Sequence, residues 1–196
     1  MHLVFDIFQG IGVAAAVGIR PFLPALAVGA LADANAEIHF KGTGFSFLQH
    51  VPFLLAMVIC AIVLLLAERR LSSAQLERGA FGIILALASL ALGALLFGGS
   101  LARGHYLVWP GIVGGVLCAA VAIAATRPLL TRVRARLDPG PAALLPAYGE
   151  VAAVVAAALS VVAPPVGVIV LLGLLWLLFA GRRREGQKYA GLRILR

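Results

Sequence analysis

The sequence predicts an all-α integral membrane protein, a bundle of six transmembrane helices, and three observations carry that prediction. Of 196 residues, 62% are hydrophobic and only 12% charged, a balance that leaves a water-soluble domain without a polar surface. Apolar stretches recur near residues 7–31, 51–67, 80–99, 107–127, 144–163 and 166–181, each about long enough to cross ~30 Å of hydrocarbon as a helix. Basic residues crowd into alternate connections between those stretches, the pattern of a polytopic chain with its arginines on the cytoplasmic side.

The first span contains "GVAAAVGIRPFLPALAVGALA", residues 12–32. A cleavable signal peptide needs a basic start, and "MHLVFDIFQG" offers His2 and Asp6 instead, so the span is read as retained. Proline lacks a backbone N–H and disfavours helical geometry in the residue before it. Arg20 is therefore pushed out of the helix, Pro21 starts a new one, and the span breaks into two half-helices. A half-helix beginning inside the membrane presents unpaired N–H groups and a partial positive charge, to which Arg20 adds a full one. Such a break faces protein or a water-filled cavity rather than lipid and suits an anion. The competing reading is a proline kink with the arginine reaching a headgroup.

The connection after it, residues 33–50, mixes Asp33, Glu37, His39 and His50 with Phe40, Phe45, Phe47 and Leu48. No tight ligand spacing marks a metal site, and the phenylalanines are expected to dip into the interface or cover the mouth of the bundle, with Gly42 and Gly44 as flexible points. The second span ends in "LLLAERR", where Glu68 stands beside Arg69 and Arg70 and reads as a solvated interfacial residue. Cys60 and Cys118 fall in mid-span and read as packing residues. In the fourth span Gly111, Gly115 and Ala119 recur every four residues and let a second helix come close, either inside the chain or across a homodimer. Its end carries a second Arg-Pro pair, Arg127 and Pro128. The fifth span carries Glu150, which reaches a depth similar to that of Arg127, so the two are expected to pair as a structural or coupling ion pair. Pro164 and Pro165 mark the turn into the sixth span.

Basic residues then give orientation. Arg69, Arg70 and Arg78 occupy one even-numbered connection, Arg132, Arg134 and Arg136 the next, and Arg182, Arg183, Arg184, Lys188, Arg193 and Arg196 the tail. The other connections hold Lys41 and Arg103. With six spans, both termini fall in the cytoplasm and the tail meets anionic lipids. Tyr106, Trp109, Tyr148 and Trp176 fall near span ends, where amphipathic rings prefer to sit. The charge of +8 lies in short loops rather than on a soluble surface, which excludes a nucleic-acid binder.

The whole chain reads as one transmembrane domain. Two sets of three spans, about 5–100 and 105–181, each open with a span carrying an Arg-Pro pair; an odd-numbered unit must invert when duplicated, so an inverted repeat is expected. Residues 182–196 form the basic tail. Together "GIRPFLPALAVGALA", "LLLAERR" and "YGEVAAVVAAALSVVAPP" resemble a group of bacterial membrane proteins catalogued as domain of unknown function 4126. That resemblance spans nearly the whole chain and implies a small polytopic inner-membrane protein without an assigned activity. The family carries acidic residues after the second span where this chain has "ERRLSSAQLERG".

No phosphate loop, zinc-protease helix or nucleophile elbow is present in the sequence, so neither an enzyme nor a cofactor is expected. The leading expectation is a small secondary transporter or permease for an anionic solute or anionic lipid headgroup, bound by Arg20, Pro21, Arg127 and Pro128, with Glu150 as coupling group or structural partner. The alternatives are a non-transporting scaffold or partner subunit, and a passive channel.

Overall fold

The computed structural model of the protein describes residues 2–35, 38, 40–70 and 79–190, with backbone alone for 2, 139 and 182–190. Glu37, His39, Arg78, Arg193 and Arg196 lie outside the described residues, as do the side chains of Arg182, Arg183, Arg184 and Lys188. Among the described residues the chain is all α-helical. In order it forms α1 (His2–Ile19), α2 (Phe22–Asp33), a 3-10 turn (Ser46–Gln49), α3 (Val51–Arg70), α4 (Ala80–Arg103), α5 (Val108–Arg134), α6 (Pro139–Val162) and α7 (Pro165–Ala190). Helices α3, α4, α5 and α6 are long and apolar enough to cross a membrane; α1, α2 and residues 165–181 of α7 are shorter apolar helices.

The expected break falls where the Arg-Pro pair places it. Arg20 closes α1 by giving its amide to the Ala16 carbonyl at 3.2 Å, and Pro21 precedes the first residue of α2. The consequence is larger than a kink, because α2 turns back. Helix α1 runs antiparallel to α4, with Asp6 against Arg103 and Gly10 against Phe97. Helix α2 then retraces the path beside α3, from Arg20 against Glu68 to Gly29 against Leu54. Its end, at Ala32, joins the same buried cluster as Val13, Phe40 and Leu96. The first apolar stretch is thus a helical hairpin rather than one broken crossing. At 12 residues α2 spans roughly 18 Å, short of a full hydrocarbon core.

That extra reversal corrects two expectations. With α2 returning, the start of α1 and the end of α7 lie on opposite faces: Gly167 of α7 packs on Phe8 and Gly12, whereas Gly181 packs on Arg132. The helices that run up to the two Arg-Pro pairs, α1 and α5, are also parallel. Helix α5 starts beside Asp6, at Gly104 and Tyr106, and runs alongside α1 until Gly18 meets Ala119 and Ala122. An inverted duplication opening at each pair demands antiparallel helices, so these pairs give it no support. Nor does α5 break at its proline; it passes through Pro128 as one helix.

One face therefore gathers the Arg20 turn, the end of α3, the start of α4 and the α5–α6 connection, with Arg69, Arg70, Arg132, Arg134 and Arg136. The opposite face gathers the start of α1, the 38–50 connection, residues 104–107 and the Pro164 turn.

Helix α1 occupies the centre, packed by α4, α5, α6 and α7. Its sequence explains how: Val13, Ala14, Ala15, Ala16 and Val17 are fully buried, and glycines allow backbones to touch. A Cβ on Gly12 would stand 2.1 Å from Ser160 Oγ and 2.4 Å from Gly167 Cα. In hydrocarbon, helix association depends on such close packing rather than on water exclusion. The Gly111, Gly115 and Ala119 stripe serves the same purpose within the chain. A Cβ on Gly115 would come 2.3 Å from the Gly93 carbonyl oxygen, so this stripe holds α5 to α4 and is not a face offered to a second copy.

The long connection covers the bundle at the face opposite the arginines. Phe40 and Leu48 are fully buried, with Phe40 against Gly99 and Phe45 near Gly98. Gln49, itself buried, accepts the Phe40 amide at 2.8 Å, satisfying a donor that hydrocarbon would leave unpaired. Gly42 takes φ +79, the left-handed backbone that glycine adopts without a steric cost. Trp109, Tyr148 and Trp176 are exposed on the outer surface, and Cys118 packs among α1 and α4 residues.

Candidate functional site

The Arg-Pro turn puts a guanidinium in the interior. Arg20 is only 7% exposed, and it lies where α1 ends between α3 and α6. Its Nη1 donates to Glu68 Oε1, and its Nε stands 3.8 Å from Glu150 Oε1. Helix α6 lies against the arginine at Gly149, where a Cβ would make ordinary contact, 3.5 Å from Arg20 Nε. Two carboxylates thus share one cation. Glu150 Oε2 is buried without a hydrogen-bond partner among the described residues, so Arg20 alone does not fully satisfy the acidic side of the cluster there.

This arrangement corrects two expectations drawn from position along the chain. Glu150 faces Arg20, not Arg127, because the two helices joined at residues 135–138 are not close neighbours in the bundle: α1 packs against both of them. Arg127 instead donates from Nη2 to the Gly82 carbonyl at 2.8 Å, in the first turn of α4. Glu68 is not a solvated end residue; its side chain is 16% exposed and paired. Only the α2 hairpin, which brings residue 20 back beside residue 68, reveals that partner.

Arg20, Pro21 and Arg127 nevertheless lie together in the wall of one cavity of about 120 Å³. Glu68, Ser89, Thr126 and Arg134 complete its polar lining. Ser89 and Thr126 give their hydroxyl protons to carbonyls one turn back, at 2.9 and 2.7 Å, which leaves their oxygens as acceptors toward the cavity. Pro128 is not part of this wall; it lines a separate hollow of about 210 Å³ between α5 and α7 with Arg132 and Gly181. Arg134 was not distinguishable in the sequence from other arginines at span ends, because nothing local says which of them faces inward.

A second ion pair lies at the opposite face. Asp6, 3% exposed, accepts from Arg103 Nη2, and Gln9 donates to the Val161 carbonyl at 3.2 Å. These polar groups tie the start of α1 to the ends of α4 and α6. Among the described residues no group of three His, Cys, Asp or Glu side chains is placed to hold a metal ion.

The chain matches the family described as "Domain of unknown function (DUF4126)" over residues 7–184. Neither a curated protein nor a solved structure matches it.

Proposed function

The chain belongs to the DUF4126 family, whose description assigns no activity, and from the geometry of this membrane protein we propose a small permease-like transporter for an anionic substrate. Its arginine-rich face is cytoplasmic, in a plasma membrane, by the positive-inside rule; the hairpin then puts the start of α1 on the far side. One observation carries the reading. Arg20 and Arg127, 107 positions apart in the chain, line one cavity together with Arg134, at a helix turn inside an apolar bundle. A charge buried in a span is costly on insertion, about 2.5–3.5 kcal/mol, and in membrane proteins marks substrate pathways more often than packing. Arginine's planar fork grips carboxylate or phosphate with paired hydrogen bonds.

A structural reading has its own observation: Arg20 ties the α1–α2 turn to both α3 and α6, as a staple in a scaffold protein does. Arg127 separates the two readings, because it bonds to a backbone carbonyl and, among the described residues, no carboxylate pairs with it. The purified protein is melted with phosphate, sulfate and citrate against chloride at matched ionic strength. Wild type is expected to gain stability from at least one oxyanion, and Arg127→Gln to fold but lose that gain. Equal melting in all salts, or an undiminished gain in Arg127→Gln, favours the scaffold.

A further inference from the structure

Among the described residues helix α3 has its substantial contacts only with α2 and the 3-10 turn, and few of its residues are buried. Between α3 and α6 the fold leaves a groove of about 910 Å³, floored by Leu23 and Leu26 of α2. Its walls change character along their length. Val58, Ile62 and Leu65 of α3 face Leu144 and Ala147 of α6, and at the arginine face the groove ends in Glu68, Arg69, Arg134 and Glu150. Glu68, Arg134 and Pro146 also line the smaller cavity, so the two spaces adjoin.

We propose that this groove holds an acyl chain of an anionic phospholipid drawn from the leaflet at the arginine face, with its phosphate at Arg69 and Arg134. The inference rests on the Arg20–Arg127 cavity being an anion site, and it names the substrate class. Three features select this occupant. The groove lies between two membrane-length helices and opens sideways, where hydrocarbon is the solvent and a small hydrophilic anion has no path. An apolar length ending in charge matches a molecule with a tail and an ionised head, and a free solute leaves the apolar length unfilled. Charge complementarity sets the sign: among the described residues lining both spaces, Arg20, Arg69 and Arg127 alone outnumber Glu68 and Glu150, an excess of cations that favours phosphatidylglycerol over a zwitterionic lipid whose ammonium meets the same arginines.

The test uses the full chain, purified in detergent, mixed with equal phosphatidylglycerol and phosphatidylcholine, and examined by native mass spectrometry. Wild type is expected to retain phosphatidylglycerol at least tenfold over phosphatidylcholine. Ala61→Trp and Ala147→Trp, made separately so that one misfolded variant leaves the other, fill the groove from α3 and from α6. Each is expected to lose the retained lipid at least tenfold while melting within a degree or two of wild type. Arg69→Gln is expected to reduce the preference for phosphatidylglycerol severalfold. Unchanged retention in a folded groove-filled variant overturns the proposal, as does retention of oleate but not phosphatidylglycerol. Groove-dependent retention together with an oxyanion effect that Arg127→Gln does not touch overturns instead the anion-site reading on which it rests.

Discussion

Replacing Arg20 by glutamine tests how two carboxylates depend on one cation. In the native cluster Glu68 and Glu150 have side chains 16% and 20% exposed and face a guanidinium that is 9% exposed. Removing it takes the ion-pair partner from both acids in a poorly hydrated place. Breaking a buried pair by removing one partner costs about 3–5 kcal/mol, and the partial exposure of the acids puts the expected loss near the lower end, about 3 kcal/mol. That is roughly a hundredfold in the folding equilibrium and, at about 2–4 °C per kcal/mol for a chain of this size, about 6–12 °C in melting temperature. The single acid variants behave differently. Glu68→Gln or Glu150→Gln leaves Arg20 still paired with the other carboxylate, so each is expected to cost less than about 1 kcal/mol. The triple variant Arg20→Gln, Glu68→Gln, Glu150→Gln carries no charge in the cluster and is expected to recover most of the loss. Melting curves of the five proteins in one detergent decide the matter. If Arg20→Gln melts like wild type, or if Glu150→Gln alone costs as much as Arg20→Gln, the shared-cation account is wrong.

Three further outcomes follow from the packing. In a protein lacking Cys60 and Cys118, cysteines placed at Leu3, Thr43 and His105 are expected to react with an impermeant maleimide from one side of the membrane and a cysteine at Ala135 from the other; labelling of Leu3 opposite to Thr43 refutes the hairpin. Gly115→Ala places a methyl group against the Gly93 carbonyl and is expected to cost at least about 1–3 kcal/mol, visible as a lower melting temperature. Wild-type stability in that variant refutes the close α4–α5 approach. Asp6→Asn removes the carboxylate from a largely buried charged hydrogen bond and is expected to destabilise by about 1.5–3 kcal/mol, whereas Asp33→Asn, at an exposed helix end, is expected to change melting by less than about 0.5 kcal/mol.

Much of this fold was legible along the chain and less of it across the chain. Apolar length marked the helices, and the chemistry of proline located the break at Pro21 to the residue. What proline chemistry does not fix is the angle after a break. A single non-helical residue permits a slight bend or a full reversal, and only the partners of α2, Leu54 and Leu48 on one side and Ala157 and Val161 in the shared core, decide for reversal. Counting α1 and α2 as one pass put both termini together and hid Glu68 behind two neighbouring arginines. Pairing Glu150 with Arg127 by depth failed for another reason, because the helices joined at residues 135–138 are not close neighbours. The cavity itself was partly foreseeable, since Arg20 and Arg127 were singled out by the same rarity of charge in apolar surroundings.

The central place of α1 bears on how the protein is made. During synthesis the first helix enters the membrane before α4, α5, α6 and α7 exist, yet most of its packing partners belong to those later segments. For that interval Asp6 and Gln9 have no counterparts, and a stretch rich in glycine and alanine offers lipid little side-chain surface. An early chain therefore holds its least lipid-compatible segment longest, and is the form most open to capture by membrane chaperones or removal by intramembrane proteolysis. Arg103 relieves the start of α1 once α4 is inserted; Arg20 gains Glu68 as soon as α3 follows the hairpin but meets Glu150 only with α6. Substitutions at the end of α3 are thus expected to act on yield during biogenesis more strongly than equal changes in α6, even where the finished proteins are equally stable.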